Sequence, residues 1–111
     1  MLKKLVCICL VAITVFLANP VPTYAGSLDA AAIFTDNCSG CHTKGGNIIR
    51  RGKNLKLKTL KRNHVDTQEA IIELVTNGKG IMSAYGDRLS DAEIAAVADY
   101  VLEQANQNWK G

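Results

Sequence analysis

Cys38, Cys41 and His42 fall within the segment Cys38-Ser39-Gly40-Cys41-His42, and their spacing suits one chemistry better than its rivals. Two thiols three residues apart on a helical turn can each add S–H across a vinyl group on one side of a porphyrin. The residue that follows then aims its imidazole at the iron. Cys-x-x-Cys-His is accordingly the attachment pattern for covalently bound haem, here one haem c. A disulfide would employ both cysteines and leave His42 without a role. A thioredoxin-like redox site wants Cys-x-x-Cys after a strand in an alternating α/β pattern. Zinc would need two further ligands at sensible spacing, and only His64 remains.

The second axial ligand to iron must come from elsewhere in the chain. Beyond residue 25 there is one methionine, Met82, and one further histidine, His64. A lone methionine is commonly core filler, but Met82 stands in a Gly-rich loop, 78–89, between two helical patterns. His–Met ligation raises the reduction potential, because the soft thioether favours ferrous iron. His42 and Met82 are therefore the expected axial pair of a single-electron carrier that is not an enzyme. His64, between a basic stretch and a helix start, reads as a surface histidine. The alternative function is a small haem enzyme or gas-binding sensor, which would want an open iron position and hence a labile Met82.

What must position these residues is one small domain. Lys3 and Lys4 precede an apolar run, 5–18, then Pro20, Pro22 and Thr23-Tyr24-Ala25. That order is an export signal cleaved after Ala25, and the run is shorter than the roughly 20 residues that span a bilayer. Residues 1–25 are thus expected to leave, taking Cys7 and Cys9, with 26–111 as the domain. Losing Lys3 and Lys4 lowers the net charge from +3 to +1. Lys44, Arg50, Arg51, Lys53, Lys56, Lys58, Lys61 and Arg62 form a basic stretch, with no acid between Asp36 and Asp66. A domain this small buries a limited core, and a large apolar cofactor would supply the missing volume.

The periodicity is helical throughout, giving an all-α fold class. Ser27 is the expected N-cap of a first helix over 28–37, with Ile33 and Phe34 inward. Glycines 40, 45, 46 and 52 announce loop, and 54–62 suggests a short helix. Asp66 and Glu69 stand in capping-box spacing before a helix with Ala70, Ile71, Leu74 and Val75 inward, ended by Asn77-Gly78. Ser90 and Glu93 repeat that spacing before a helix over 91–107, whose stripe is Ile94, Val97, Ala98, Val101 and Ala105.

These residues resemble the cytochrome c6 family, small electron carriers of cyanobacteria and algae. Val75-Thr76-Asn77-Gly78-Lys79-Gly80-Ile81-Met82 is similar to its methionine loop, and 88–102 to its last helix. The resemblance, with Phe34 four residues before Cys38, spans 26–111. It implies a class I cytochrome c fold of about four helices around the haem, with Ala30 and Phe34 crossing Val97 and Tyr100. It also implies electron shuttling from the cytochrome bf complex to photosystem I, or to a terminal cytochrome oxidase. The place would be the thylakoid lumen or cyanobacterial periplasm. The expected partners are these redox proteins, with no nucleic acid and no stable membrane insertion, and the carrier is expected to be monomeric.

Two departures stand out. The family's Met-Pro-Ala-Phe reads Met82-Ser83-Ala84-Tyr85 here, which frees the loop backbone. Its common glutamine before Val75 is Leu74, as in branches that resemble lower-potential forms; an amide N–H aimed at the haem would disfavour the cationic ferric state. Arg50, Arg51, Lys53 and Lys56 are candidate docking residues for an acidic partner, or simply a solvated loop. Tyr85 is expected near the haem, and Trp109 as a core cover.

Overall fold

The computed structural model describes residues 28–111. The expected export signal, 1–25, and the Ser27 cap lie outside the described residues.

Helix α5, Asp91–Asn106, organises the domain. It starts where the capping box places it. Ser90 Oγ accepts from the Glu93 backbone N–H at 3.2 Å, and Glu93 Oε2 accepts from the Ser90 N–H at 2.7 Å. These two bonds satisfy donors that a helix start otherwise leaves unpaired. The whole expected stripe, Ile94 to Ala105, is buried.

The other helices run in order along the chain: α1, Ala30–Asn37; α2, Ser39–His42; α3, Leu57–Arg62; and α4, Gln68–Asn77. Helices α1 and α4 both pack against α5. Phe34 of α1 meets Tyr100 of α5 with ring centroids 5.4 Å apart, as the crossing of first and last helices requires. Among the described residues there is no strand, only an isolated bridge between Lys79 and Met82. The fold is all-α, with the single turn α2 added to the four helices expected.

Three local expectations need correction. Helix α1 begins at Ala30 rather than residue 28, because the Asp29 carboxylate accepts from the Ala32 N–H at 3.0 Å and caps it there. The cap of α4 is Thr67, whose hydroxyl accepts from the Ala70 N–H at 3.2 Å. The Asp66–Glu69 spacing is therefore one residue out of register, and no capping box forms there. Gly40 is not loop. It sits inside α2, where His42 N–H donates to Cys38 O at 2.9 Å.

After α5 the backbone turns through two left-handed residues, Asn108 and Trp109, with φ of 54° and 58°. Each such residue stores about 1–3 kcal/mol and persists only where tertiary contacts hold it.

Candidate functional site

A cavity of about 300 Å³ opens between α1, α4 and α5 and the loops that join them. It is about twice the roughly 150 Å³ of a large engineered core cavity and falls at the lower end of the roughly 300–1,000 Å³ range of ligand pockets. Phe34, Leu55, Leu60, Ile71, Leu74, Val75, Val97 and Val101 supply apolar walls. Cys38, Cys41, His42 and Met82 all line this one cavity. The sequence separates His42 from Met82 by a basic loop and two helices; folding brings them together.

The attachment segment is positioned by helical continuity. Cys38 N–H donates to Phe34 O at 2.8 Å, which carries the end of α1 straight into α2. Cys38 is half-buried and Cys41 exposed, and both are free thiols. Burial pushes the Cys38 thiol up to about 11, so it is a neutral S–H at neutral pH.

His42 Nδ1 lies 2.8 Å from the Gly46 carbonyl oxygen. A carbonyl can only accept, so Nδ1 carries the hydrogen, and in the neutral ring the lone pair is on Nε2. That is the tautomer a metal-binding imidazole needs, with its outer N–H held by a carbonyl. A covalent haem fits these residues: two free thiols on one turn, a lone-pair nitrogen, a thioether and apolar walls around a sizeable cavity. The zinc alternative fares worse. No three His, Cys, Asp or Glu side chains gather as a metal site among the described residues.

Met82 is presented by a loop that closes on itself. Lys79 and Met82 exchange two backbone hydrogen bonds, each 3.1 Å. Tyr85 N–H then donates to Val75 O at 2.8 Å, laying the segment after Met82 along the end of α4. The helix stops as expected at Gly78, with φ of 69°. Glycine is required there, because a Cβ would come within 2.6 Å of the Met82 carbonyl oxygen. Tyr85 lines the cavity, and its hydroxyl donates to the Asn37 carbonyl at 2.8 Å. This second tie joins the methionine loop to the residue before Cys38. The Arg88 guanidinium lies 4.9 Å from the Tyr85 ring centroid.

The candidate docking residues divide. Arg50, Arg51, Lys53 and Lys56 are all exposed, but only Arg50 and Lys53 line the cavity. Lys53 Nζ donates to Asn63 Oδ1 at 3.0 Å and Lys56 Nζ to Lys44 O at 3.1 Å. Exposed Ile49 and Ile81 share the cavity lining with Arg50 and Lys53, and Ile48 beside them is 70 % exposed. This apolar rim carried no periodic signal and was not anticipated. Leu74 lines the cavity as expected. His64 is exposed and lies in a separate cleft with Glu73, Asn77 and Lys79.

Comparisons with known proteins agree with this geometry. Residues 27–101 match the family model described as cytochrome c oxidase, cbb3-type, subunit III. A cytochrome c6-like protein of Nostoc sp. (strain PCC 7120) is 53 % identical over 92 residues, covering 83 % of each chain. The crystal structure of cytochrome c6B from Synechococcus sp. WH8102 matches with 51 % identity and a TM-score of 0.71, covering 74 % of this chain and 93 % of that one. That of cytochrome c6C from Synechococcus sp. PCC 7002 matches with 56 % identity and a TM-score of 0.69, covering 70 % and 95 %.

Proposed function

The chain belongs to the cytochrome c6 family of electron-carrying cytochromes with covalently bound haem, and from that premise we propose a His/Met-ligated carrier serving photosynthetic electron transfer. When bound, the haem supplies a one-electron ferric/ferrous couple. Cys38 and Cys41 would hold it through thioether bonds, and His42 Nε2 and Met82 Sδ would supply the iron's ligands from the protein. The apolar walls and the surrounding hydrogen bonds orient these four groups, exclude water and set the potential. The observation that carries the reading is their convergence on one apolar cavity, with the imidazole already held by the Gly46 carbonyl in the ligating tautomer.

The ferric holoprotein tests it directly. A far-red absorption band, which reports sulfur on iron, is expected in the parent and absent in Met82→Ala, whose ferrous form should also bind CO readily. A parent that lacks the band and binds CO itself would overturn the ligation.

The rim supports brief docking to an acidic partner. Arg50 and Lys53 stand beside exposed Ile49 and Ile81 at the cavity mouth. Positive charge steers an acidic partner towards that mouth, and a small apolar contact allows brief docking. The partners proposed are the cytochrome bf complex as donor and photosystem I, or a terminal oxidase, as acceptor. The carrier works as a monomer in the thylakoid lumen or cyanobacterial periplasm, after loss of residues 1–25. N-terminal sequencing of the protein purified from cyanobacterial cells should begin at Gly26; a start at Met1 would refute export with cleavage.

A further inference from the structure

The turn after α5 is far in sequence from the attachment segment, yet it packs directly behind it. A bulky side chain keeps left-handed backbone only where its surroundings fix it, and such outliers gather where a fold positions functional groups. Trp109 is fixed on several sides. Its backbone N–H donates to Gln104 O at 2.8 Å. Its indole Nε1 donates to Leu55 O at 3.0 Å. Its ring lies 5.3 Å from that of Phe34. It also covers Gly45 so closely that a Cβ there would collide with the indole.

Gly45 is buried, with φ of 73°, and its carbonyl accepts from Leu55 N–H at 2.7 Å. The indole therefore clasps both partners of the Gly45–Leu55 closure. The next residue, Gly46, is the one whose carbonyl holds His42 Nδ1. A core cover also satisfies its indole N–H; what sets Trp109 apart is that its acceptor, Leu55 O, and the glycine beneath the ring are the two partners of one closure.

We propose that Trp109 is a positioning residue for His42. By clamping Gly45 and Leu55 it fixes the Gly46 carbonyl, and through that carbonyl the direction and basicity of His42 Nε2. The inference rests on His42 being the iron ligand. A firmly held outer N–H makes an imidazole the stronger donor, and a stronger donor stabilises ferric iron. Loosening the clamp should therefore raise the midpoint potential.

The test uses the holoprotein with Trp109→Phe, which keeps an aromatic face and loses the N–H, and Trp109→Ala. Leu102→Ala is the control for stability alone, since Leu102 packs on the core and does not line the cavity. NMR follows exchange of the His42 Nδ1 hydrogen, and a redox titration gives the potential. Exchange should quicken a few-fold in Trp109→Phe and about tenfold in Trp109→Ala, the equivalent of a lost hydrogen bond. The potential should rise in both. Leu102→Ala should lower thermal stability and move neither reading. If Trp109→Ala does not retain haem, Trp109→Phe decides. Variants that lose stability like Leu102→Ala, with exchange and potential unmoved, overturn the proposal. The parent is read first: a ferric spectrum without a low-spin, histidine-ligated iron would defeat the ligation itself, whereas a normal parent with silent variants defeats only the role of Trp109.

Discussion

Replacing Tyr85 with phenylalanine should loosen Met82 without touching it. The substitution keeps the ring in the cavity wall and the stacking of Arg88, and removes only the hydroxyl. What is lost is the 2.8 Å bond to the Asn37 carbonyl, the tie between the methionine loop and the helix end before Cys38. A neutral hydrogen bond of this kind contributes about 0.5–1.5 kcal/mol net. At about 1 kcal/mol, the population with Met82 off the iron should rise about fivefold. Ligands that deprotonate as pH rises, hydroxide among them, compete for the iron, so destabilising the methionine-ligated form should lower the pH at which the far-red band disappears. The shift should be about 0.7 unit, since one unit corresponds to 1.36 kcal/mol. Apparent affinity for added imidazole should rise by the same fivefold factor, in proportion to the competent population. A pH titration of the ferric holoprotein and an imidazole titration read both. Should thermal stability fall while neither titration moves, the bond supports the fold but does not restrain Met82, and the reasoning fails.

Leu74→Gln should raise the midpoint potential, because an amide N–H directed into the cavity that Leu74 lines disfavours the cationic ferric state. One hydrogen bond of about 1 kcal/mol corresponds to roughly 40 mV for one electron, and an unchanged or lower potential in redox titration would sink the idea. Gly78→Ala should displace the Met82 backbone, since the added Cβ meets the Met82 carbonyl oxygen at 2.6 Å in left-handed backbone; a cost of about 1–3 kcal/mol should weaken the far-red band and speed CO binding to the ferrous form. Reversing Arg50 and Arg51 to glutamate should slow electron transfer to the acceptor several-fold at low salt and little at high salt. Flash kinetics insensitive both to that change and to ionic strength would remove the patch as a dock.

Local signals carried as far as local physics does. Ser90 and Glu93 announce α5 because a capping box is written in four consecutive residues, and its stripe is buried in full. The same spacing misled at Asp66, because Thr67, one residue on, caps as well and wins. Gly40 reads as loop by propensity, yet the turn joining α1 to His42 overrides about 1 kcal/mol of preference. Four of the site residues were legible from type and spacing. The groups that hold them were not: Gly46 acts through a carbonyl that every residue has, the Tyr85 bond spans 48 residues and the Trp109 bond 54. No window on the sequence sees such pairs.

Those two long-range bonds have a topological consequence. One runs from residue 37 to residue 85, the other from 55 to 109, so each loop straddles one end of the other. Any cut between 55 and 85 crosses both. Every cut that separates Cys38–His42 from Met82 therefore breaks the bond between residues 37 and 85, and a cut beyond 55 breaks the bond between 55 and 109 as well. The two halves of the redox centre are thus tied to each other across the chain, and opening one should loosen the other.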